Sequence, residues 1–250
     1  MTPAPATAAT QPGYYGKLPG KGDFLSKAVP AGFREAWDGW LEPAVFAAEQ
    51  RLGRDWPEIY LTSPLWRFAV DGGLLGDPGV AGIMMPSVDR VGRHYPFALI
   101  AAAPVARSPF HWAGTATAWY HAAEAAALDG LRDDHDGERF DRGVAAVGAL
   151  PETDAGASLQ GLAPGWVDLA RRPTYAWRSD ALVAMDAPAQ HVFPALLDQA
   201  FRATARRFSL WWTRGSDRVD ACFLVFPGLP EPDDYVAMIA GLETGASHAA

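Results

Sequence analysis

Hydrophobic positions along the chain follow two patterns, one typical of helices and one of buried strands. Apolar residues recur at helical spacing from Phe33 to Leu52, with Pro30 suited to a first turn and Gly53 to a C-terminal cap. Pro43 inside this stretch is expected to bend the helix or split it in two. The same spacing predicts further helices over residues 109–128, 139–149, 192–206 and 232–242.

Short apolar runs bounded by turn residues predict strands. They occupy residues 65–70, 80–85, 97–103, 175–177, 182–185, 209–213 and 221–226. The glycine-rich segment from Gly13 to Asp23 is predicted to be a turn, and residues 151–165 a loop. The alternation of strands and helices predicts one α/β domain over residues 12–242, a three-layer α/β/α sandwich with a mixed sheet covered on both faces. Residues 1–11 and 243–250 are expected to be disordered tails.

Composition narrows the function classes. The chain has 250 residues, 49% of them hydrophobic, and a formal net charge of −8, which disfavours nucleic acids and anionic membranes. Cys222 is the single cysteine, so no intrachain disulfide can form, as fits a reducing cytoplasm. The N-terminal segment lacks the features of a signal peptide, and no apolar run approaches the roughly twenty residues of a membrane helix. We therefore expect a cytoplasmic protein without membrane insertion.

The loop at residues 86–96 is the densest polar segment between two predicted strands. It holds Ser87, Asp89, Arg90, Arg93 and His94, and functional residues concentrate on such loops. An ion pair between Asp89 and one of the two arginines would keep the loop rigid. The arginine left over could then face a protein partner, because its planar guanidinium binds carboxylates bidentately.

Three patterns suggest catalysis or ligand binding, and each is incomplete. The glycines Gly16 and Gly20 around Lys17 resemble a phosphate-binding loop, but three rather than four residues separate them and no Ser or Thr follows Lys21. Ser87, Asp89 and His94 could form a hydrolase triad, although three members within eight residues of one loop rarely converge. The acidic turn at residues 133–136 lacks two ligands of a calcium loop. No metal, cofactor or catalytic residue is therefore predicted. A hydrolase or phosphate-handling enzyme that uses the 86–96 loop with the Gly16–Asp23 turn remains the alternative.

The ten tryptophans are the second unusual feature. Core packing is the default for most of them, and interface contact is the alternative for the rest. Trp66 precedes Arg67 in a predicted strand. Trp211 and Trp212 are adjacent in another and must therefore face opposite sides of the sheet.

Six sequence blocks, taken together, resemble the TagF family of accessory proteins of bacterial type VI secretion systems. In order they are Gly13-Tyr14-Tyr15-Gly16-Lys17-Leu18-Pro19 with Gly22-Asp23-Phe24, Trp37-Asp38-Gly39-Trp40-Leu41, Ser63–Phe68, Pro86–Pro96, Ser209–Ser216, and Gly228-Leu229-Pro230. Residues 130–175 match no motif of the family. The series is specific because the blocks occur in order from about residue 13 to residue 240.

The resemblance implies a cytoplasmic, non-catalytic protein that represses type VI secretion after translation. It further implies binding to a forkhead-associated (Fha) scaffold protein of the system, and it suggests a PP2C-type phosphatase encoded nearby as a second partner. The candidate interaction residues are Lys17, Asp23, Trp66, Arg67, Ser87, Asp89, Arg90, Arg93, Trp212 and Ser216. We expect the Gly13–Asp23 segment, the 86–96 loop and the Thr213–Ser216 turn to lie near each other, with Arg93 as an interface anchor.

Overall fold

The computed structural model describes most of the chain in seven stretches. They are residues 11–103, 108–132, 137–151, 163–169, 172–178, 188–203 and 205–241. The predicted strand at 182–185, the acidic turn at 133–136 and both predicted tails, apart from Gln11, lie outside the described residues.

Nine strands are described, and seven of them form one sheet. The strands are β1 (Gly13–Gly16), β2 (Leu25–Lys27), β3 (Trp66–Val70), β4 (Val80–Met85), β5 (Phe97–Ala102), β6 (Ala163–Leu169), β7 (Arg172–Arg178), β8 (Phe208–Thr213) and β9 (Cys222–Pro227). The large sheet has the order β2-β1-β5-β4-β3-β8-β9, while β6 pairs with β7. Every described pair is antiparallel, so the predicted mixed sheet is wrong. The physical reason is that β3, β4 and β5 follow one another through hairpin connections, which reverse the strand direction, whereas parallel neighbours need a crossover.

The helices follow the sequence pattern except for one unpredicted helix over residues 56–61 and one predicted helix that is divided in two. They are α1 (Phe33–Leu52), α2 (Trp56–Leu61), α3 (Pro109–Thr115), α4 (Thr117–Asp129), α5 (Gly137–Val147), α6 (Pro188–Arg202) and α7 (Pro232–Ala240), with a 3₁₀ turn at Gly53–Asp55. Helix α1 is not split by Pro43, because its buried face compensates for the lost hydrogen bond. The helix predicted over residues 109–128 is instead two helices, because Gly114, Thr115 and Thr117 are weak helix formers. Within the described part of the chain, none of the helices has the length and apolarity needed to cross a membrane.

Two apolar clusters make up most of the core. Phe68 and Val70 of β3 belong to the first, together with side chains of α1, α2 and α7. Ala69, between them, belongs to the second, together with side chains of α3, α4 and α5. Successive strand residues thus face different helices, as expected for a sheet that is apolar on both faces. The complete three-layer sandwich and the domain limits at residues 12 and 242 stay predictions.

The strand register brings several polar segments to one end of the sheet. Tyr15 near the end of β1 pairs with Ala98 near the start of β5. The end of β4 pairs with the starts of β5 and β3, and the end of β8 pairs with the start of β3. This shared end of the sheet carries residues 17–24, residues 86–96 and residues 213–216, and it positions the candidate site.

Candidate functional site

Asp89 is the buried centre of an ionic network. Its carboxylate accepts hydrogen bonds from the Arg93 guanidinium (Nε to Oδ2, 2.6 Å) and from the backbone N–H groups of Val91 (3.0 Å) and Arg93 (2.9 Å). The Lys17 ammonium lies 3.1 Å from the same carboxylate, and both side chains of this second pair are buried. The predicted pairing of Asp89 with one of the two arginines is therefore made with Arg93.

The network keeps Asp89 ionised. Burial by itself would raise the pKa of this carboxyl group. The hydrogen bonds from Arg93, Lys17 and the Val91 backbone outweigh burial and hold the pKa well below its ordinary value of 3.8. Asp89 therefore acts as a fixed negative charge that organises the loop around it.

Backbone hydrogen bonds close the 86–96 loop on itself. The Asp89 N–H donates to the Arg93 carbonyl (3.1 Å), and the Gly92 N–H donates to the Asp89 carbonyl (2.9 Å). Gly92 has a φ of 83°, a left-handed conformation that glycine adopts without strain. The tip of the loop is therefore a tight, internally bonded turn.

The loop is also fixed to the segment that follows β1. The Arg90 N–H donates to the Lys21 carbonyl (2.8 Å), and Arg93 Nη2 donates to the Gly22 carbonyl (3.0 Å). At Gly16, a Cβ atom would lie 2.2 Å from the Pro96 carbonyl oxygen, so only glycine allows this approach. Residues 16–24 and 86–96 form one rigid unit, as the prediction that they are neighbours requires.

Arg90 is the arginine that the network leaves unused. Its side chain extends along Gly22, where a Cβ atom would lie 3.3 Å from Arg90 Nη2. No hydrogen bond or ion pair of the Arg90 guanidinium occurs among the described residues, and the residue is exposed. Next to it, Val91 is 69% exposed. The geometry therefore favours Arg90 over Arg93 as the residue available to a partner.

Ser87 and His94 do not form a nucleophile–base pair. The Tyr60 hydroxyl donates to the Ser87 carbonyl and accepts from the Ser87 N–H, each at 2.9 Å. The Ser87 hydroxyl is buried and has no hydrogen-bond partner among the described residues. The His94 ring packs against Trp56 and Tyr60, and burial lowers its pKa. A hydrolase would need a hydrogen bond from the serine to the base, and this arrangement does not provide one.

A second polar cluster joins α1 to the same end of the sheet, and its members are absent from the predicted candidates. Asp38 accepts hydrogen bonds from the hydroxyl groups of Tyr15 (2.7 Å) and Tyr95. Burial, together with the Asp38 carboxylate, raises the pKa of Tyr15 to about 12, and it raises that of Tyr95 further. In the sequence, the pattern that could have indicated this cluster is the acidic residue Asp38 between Trp37 and Trp40 in a predicted amphipathic helix. An open cleft of about 510 Å³, lined by residues from Val29 to Asp38, lies beside this cluster.

Arg67 and Trp66 lie inside the protein rather than on its surface. Arg67 makes a bidentate ion pair with Glu124 of α4, with distances of 2.7 Å (Nε–Oε1) and 2.9 Å (Nη2–Oε2). Arg214 adds a third hydrogen bond to Glu124 at 2.8 Å, although 78% of its side chain is exposed. Trp66 is 1% exposed and belongs to the first cluster, on the other face of β3.

The remaining candidates make local contacts. Trp212 is partly buried and packs against Tyr120 and Phe223. The Ser216 N–H donates to the Val219 carbonyl (2.8 Å), which closes the turn after β8. The exposed Asp23 accepts a hydrogen bond from the next backbone N–H (2.8 Å).

The Thr213–Ser216 turn shares the end of the sheet with the other two segments, but β3 separates it from β4. At about 4.8 Å between neighbouring strands, it lies roughly 10 Å from the end of β4. Thr213 instead donates a hydrogen bond to the Leu65 carbonyl (2.8 Å). Participation of this turn in a shared site therefore stays a prediction.

Metal chemistry has no support in the part of the chain that the structure covers. No group of three or more His, Cys, Asp or Glu side chains is placed there to hold a metal ion.

Fold and site together define an α/β protein whose polar end is a rigid network of ion pairs and hydrogen bonds with an exposed cationic tip.

Comparison with known proteins identifies the family to which the chain belongs. The family model described as the TagF N-terminal domain, type VI secretion system-associated, matches residues 13–147, which is more than half of the chain. The chain therefore belongs to this family. The crystal structure of PA0076 from Pseudomonas aeruginosa PAO1 is similar, with 33% sequence identity and a TM-score of 0.75 over 95% of this chain and 97% of that one. No curated protein matches the chain significantly.

Proposed function

We propose that this protein is a non-catalytic repressor that restrains type VI secretion after translation by binding another protein. The observation that carries the proposal is the match of residues 13–147 to a family associated with that system. The similarity to PA0076 covers nearly the whole chain, so it is not limited to those residues.

The arrangement of the polar residues favours binding over catalysis. Asp89 is engaged by Lys17 and Arg93, so it cannot orient His94 as a triad acid would. The Ser87 hydroxyl has no hydrogen-bonded base among the described residues. A rigid loop that presents an arginine and an apolar side chain has the composition of a protein-binding surface.

The proposed partner is the Fha scaffold protein of the same secretion system, and the proposed location is the cytoplasm. A PP2C-type phosphatase encoded nearby is the second partner that we propose. Both assignments rest on the resemblance to the TagF family.

A pull-down followed by titration tests the proposal. The intact protein, attached to a resin, should capture the scaffold from a cell with an active type VI system. The two purified proteins should then bind saturably in a calorimeter. If the scaffold neither co-purifies nor binds in the titration, the proposed partner is wrong.

Alanine at Ser87 and at His94 separates the repressor from the hydrolase alternative. A binder should keep its affinity for the scaffold and its repression of secretion, because the Ser87 hydroxyl is buried and the His94 ring packs against Trp56 and Tyr60. Thermal melts should accompany both variants, since His94 packs against Trp56 and Tyr60. Loss of repression with unchanged melting and unchanged scaffold binding would support an enzymatic role.

A further inference from the structure

We propose that Arg90 and Val91, called the Arg90 surface below, receive an acidic segment of the partner protein that carries one apolar side chain among its carboxylates. The proposal deepens the proposed function, on which it rests for the existence of a partner. It assigns the contact to one particular place on the molecule and to one chemistry.

Charge is the first reason. The segments 16–24 and 86–96 hold four cationic side chains and two carboxylates, a net charge of +2 in a chain whose formal charge is −8. Of the two carboxylates, Asp89 is buried and already paired with Lys17 and Arg93. The Arg90 guanidinium has no ion-pair partner in the described part of the chain, whereas the Lys21 ammonium extends to the start of α5, where it would lie 3.7 Å from a Cβ atom at Gly137. The tip is therefore a cationic region on a negatively charged protein.

Rigidity is the second reason. The Arg90 backbone is held by its hydrogen bond to Lys21, and the following residues are held by the hydrogen bonds from Val91 and Arg93 to Asp89. A preorganised loop loses little conformational entropy when it binds, so more of the contact energy appears as affinity. Burial of the Asp89 and Lys17 charges carries a desolvation cost, and it fixes the position from which Arg90 projects.

Apolar exposure is the third reason. Val91 at the tip is 69% exposed, and Phe24 in the adjoining segment is 40% exposed. An arginine beside exposed apolar side chains is typical of binding hot spots. A carboxylate binds the guanidinium bidentately, while an apolar side chain of the partner covers Val91. A polyanion such as nucleic acid fits less well, because the rest of this chain would repel it.

The test is site-specific photo-crosslinking in a cell with an active type VI system. A photoreactive phenylalanine analogue replaces Val91 in the full chain, and a control carries it at Leu128 of α4, which is 52% exposed. Each is combined with Arg90→Glu or with Arg206→Glu. Arg206 is also exposed, but it precedes β8 and so lies at the opposite end of the sheet. Adducts are identified by mass spectrometry, down to the cross-linked peptide.

We expect one adduct that is specific to position 91, with its cross-linked peptide rich in Asp and Glu. Arg90→Glu should abolish it, whereas Arg206→Glu should not. With the captured protein purified, Arg90→Ala should weaken binding about thirtyfold. The proposal is overturned if no adduct is specific to position 91, if the adduct survives Arg90→Glu, if its peptide lacks acidic residues, or if it joins two copies of this chain.

The same experiment distinguishes this proposal from the proposed function. An acidic adduct that depends on Arg90, but formed with a protein other than the Fha scaffold, would support the Arg90 surface and reject the proposed partner. A scaffold that binds equally well to wild type and to Arg90→Glu would support the proposed partner and reject the Arg90 surface. Matching melting temperatures of the two charge-reversal variants confirm that a lost adduct is not a folding defect.

Discussion

At the scale of single residues, Asp89 explains why the 86–96 loop is so polar. Four hydrogen bonds or ion pairs converge on its buried carboxylate, from Lys17, Arg93 and the backbone of Val91 and Arg93. A buried charge is tolerated only when such partners replace water. The charged residues of the loop therefore first build a rigid structure, and among the described residues Arg90 is the charged side chain of the loop that is left over for other contacts.

Asp89→Asn should make the protein less stable at neutral pH, and the loss should depend on pH. The folded-state pKa of Asp89 is lowered, so its contribution is complete above the unfolded-state value of 3.8 and declines as pH falls below that value. The difference in urea midpoint between wild type and variant should therefore be largest near pH 7 and shrink below about pH 4. Asp23→Asn, in an exposed position nearby, is the control and should change the midpoint little at pH 7. A difference that stays constant down to the lowest pH would contradict the assigned network.

The pair of Arg67 and Glu124 predicts a second stability effect. Glu124→Ala leaves the buried Arg67 without its partner, so the free energy of unfolding should fall by about 3–5 kcal/mol. Arg214→Ala removes a mostly exposed contact to the same carboxylate and should cost less than about 1 kcal/mol. Denaturant titrations of both variants check this. Equal losses of unfolding free energy in the two variants would show that the Arg67–Glu124 ion pair is not buried as described.

The sequence predicts residue types at the site better than their partners. An ion pair of Asp89 with an arginine is expected from the sequence, but the choice between Arg90 and Arg93 depends on the backbone of the turn. The contact with Lys17 joins positions that are 72 residues apart, and no local pattern encodes it. Arg67 is a sequence candidate for a surface role, yet strand alternation turns it inward against a helix whose docking the sequence does not specify.

At the scale of elements, β4 occupies the predicted residues, and β3 and β5 differ from prediction by one residue each at one end. The pattern misses strand β1, because its glycines suggest a turn. Those glycines serve close backbone approach instead: a Cβ atom at Gly13 would lie 2.3 Å from the Ala28 carbonyl oxygen. Tertiary contacts determine that these residues form strand β1, and a local sequence pattern contains no information about such contacts.

Two glycine substitutions test the role of β1. Gly16→Ala forces a side chain into a φ of 131° and against the Pro96 carbonyl, so it should cost at least about 2 kcal/mol and loosen the 86–96 loop. Gly39→Ala in α1, where nothing lies within 4 Å, should instead stabilise the protein by about 0.5–1 kcal/mol. Thermal melts and amide hydrogen exchange of residues 86–96 report both effects. Normal stability and exchange protection in Gly16→Ala would contradict the close packing of β1 on this loop.

At the scale of the whole molecule, the sheet order could not be predicted from periodicity. Periodicity identifies strands, but the pairing of β1 with β5 and of β3 with β8 joins segments far apart in the chain. The resulting register gathers residues 16–24 and 86–96 at one end, with the turn after β8 two strands away. This end of the sheet thus presents a rigid cationic tip on a chain with a net charge of −8, as the proposed binding of a partner protein requires.

Overproduction in a cell with an active type VI system tests the central claim most directly. Secreted and total amounts of the system's proteins are measured for wild type, Arg90→Glu and Arg206→Glu, each at matched expression. Because we propose repression after translation, wild type should suppress secretion while the intracellular amounts of the structural proteins stay unchanged. Arg206→Glu should behave like wild type, and Arg90→Glu should restore secretion. Continued secretion under wild-type overproduction, or a parallel fall in the structural proteins, would contradict the account.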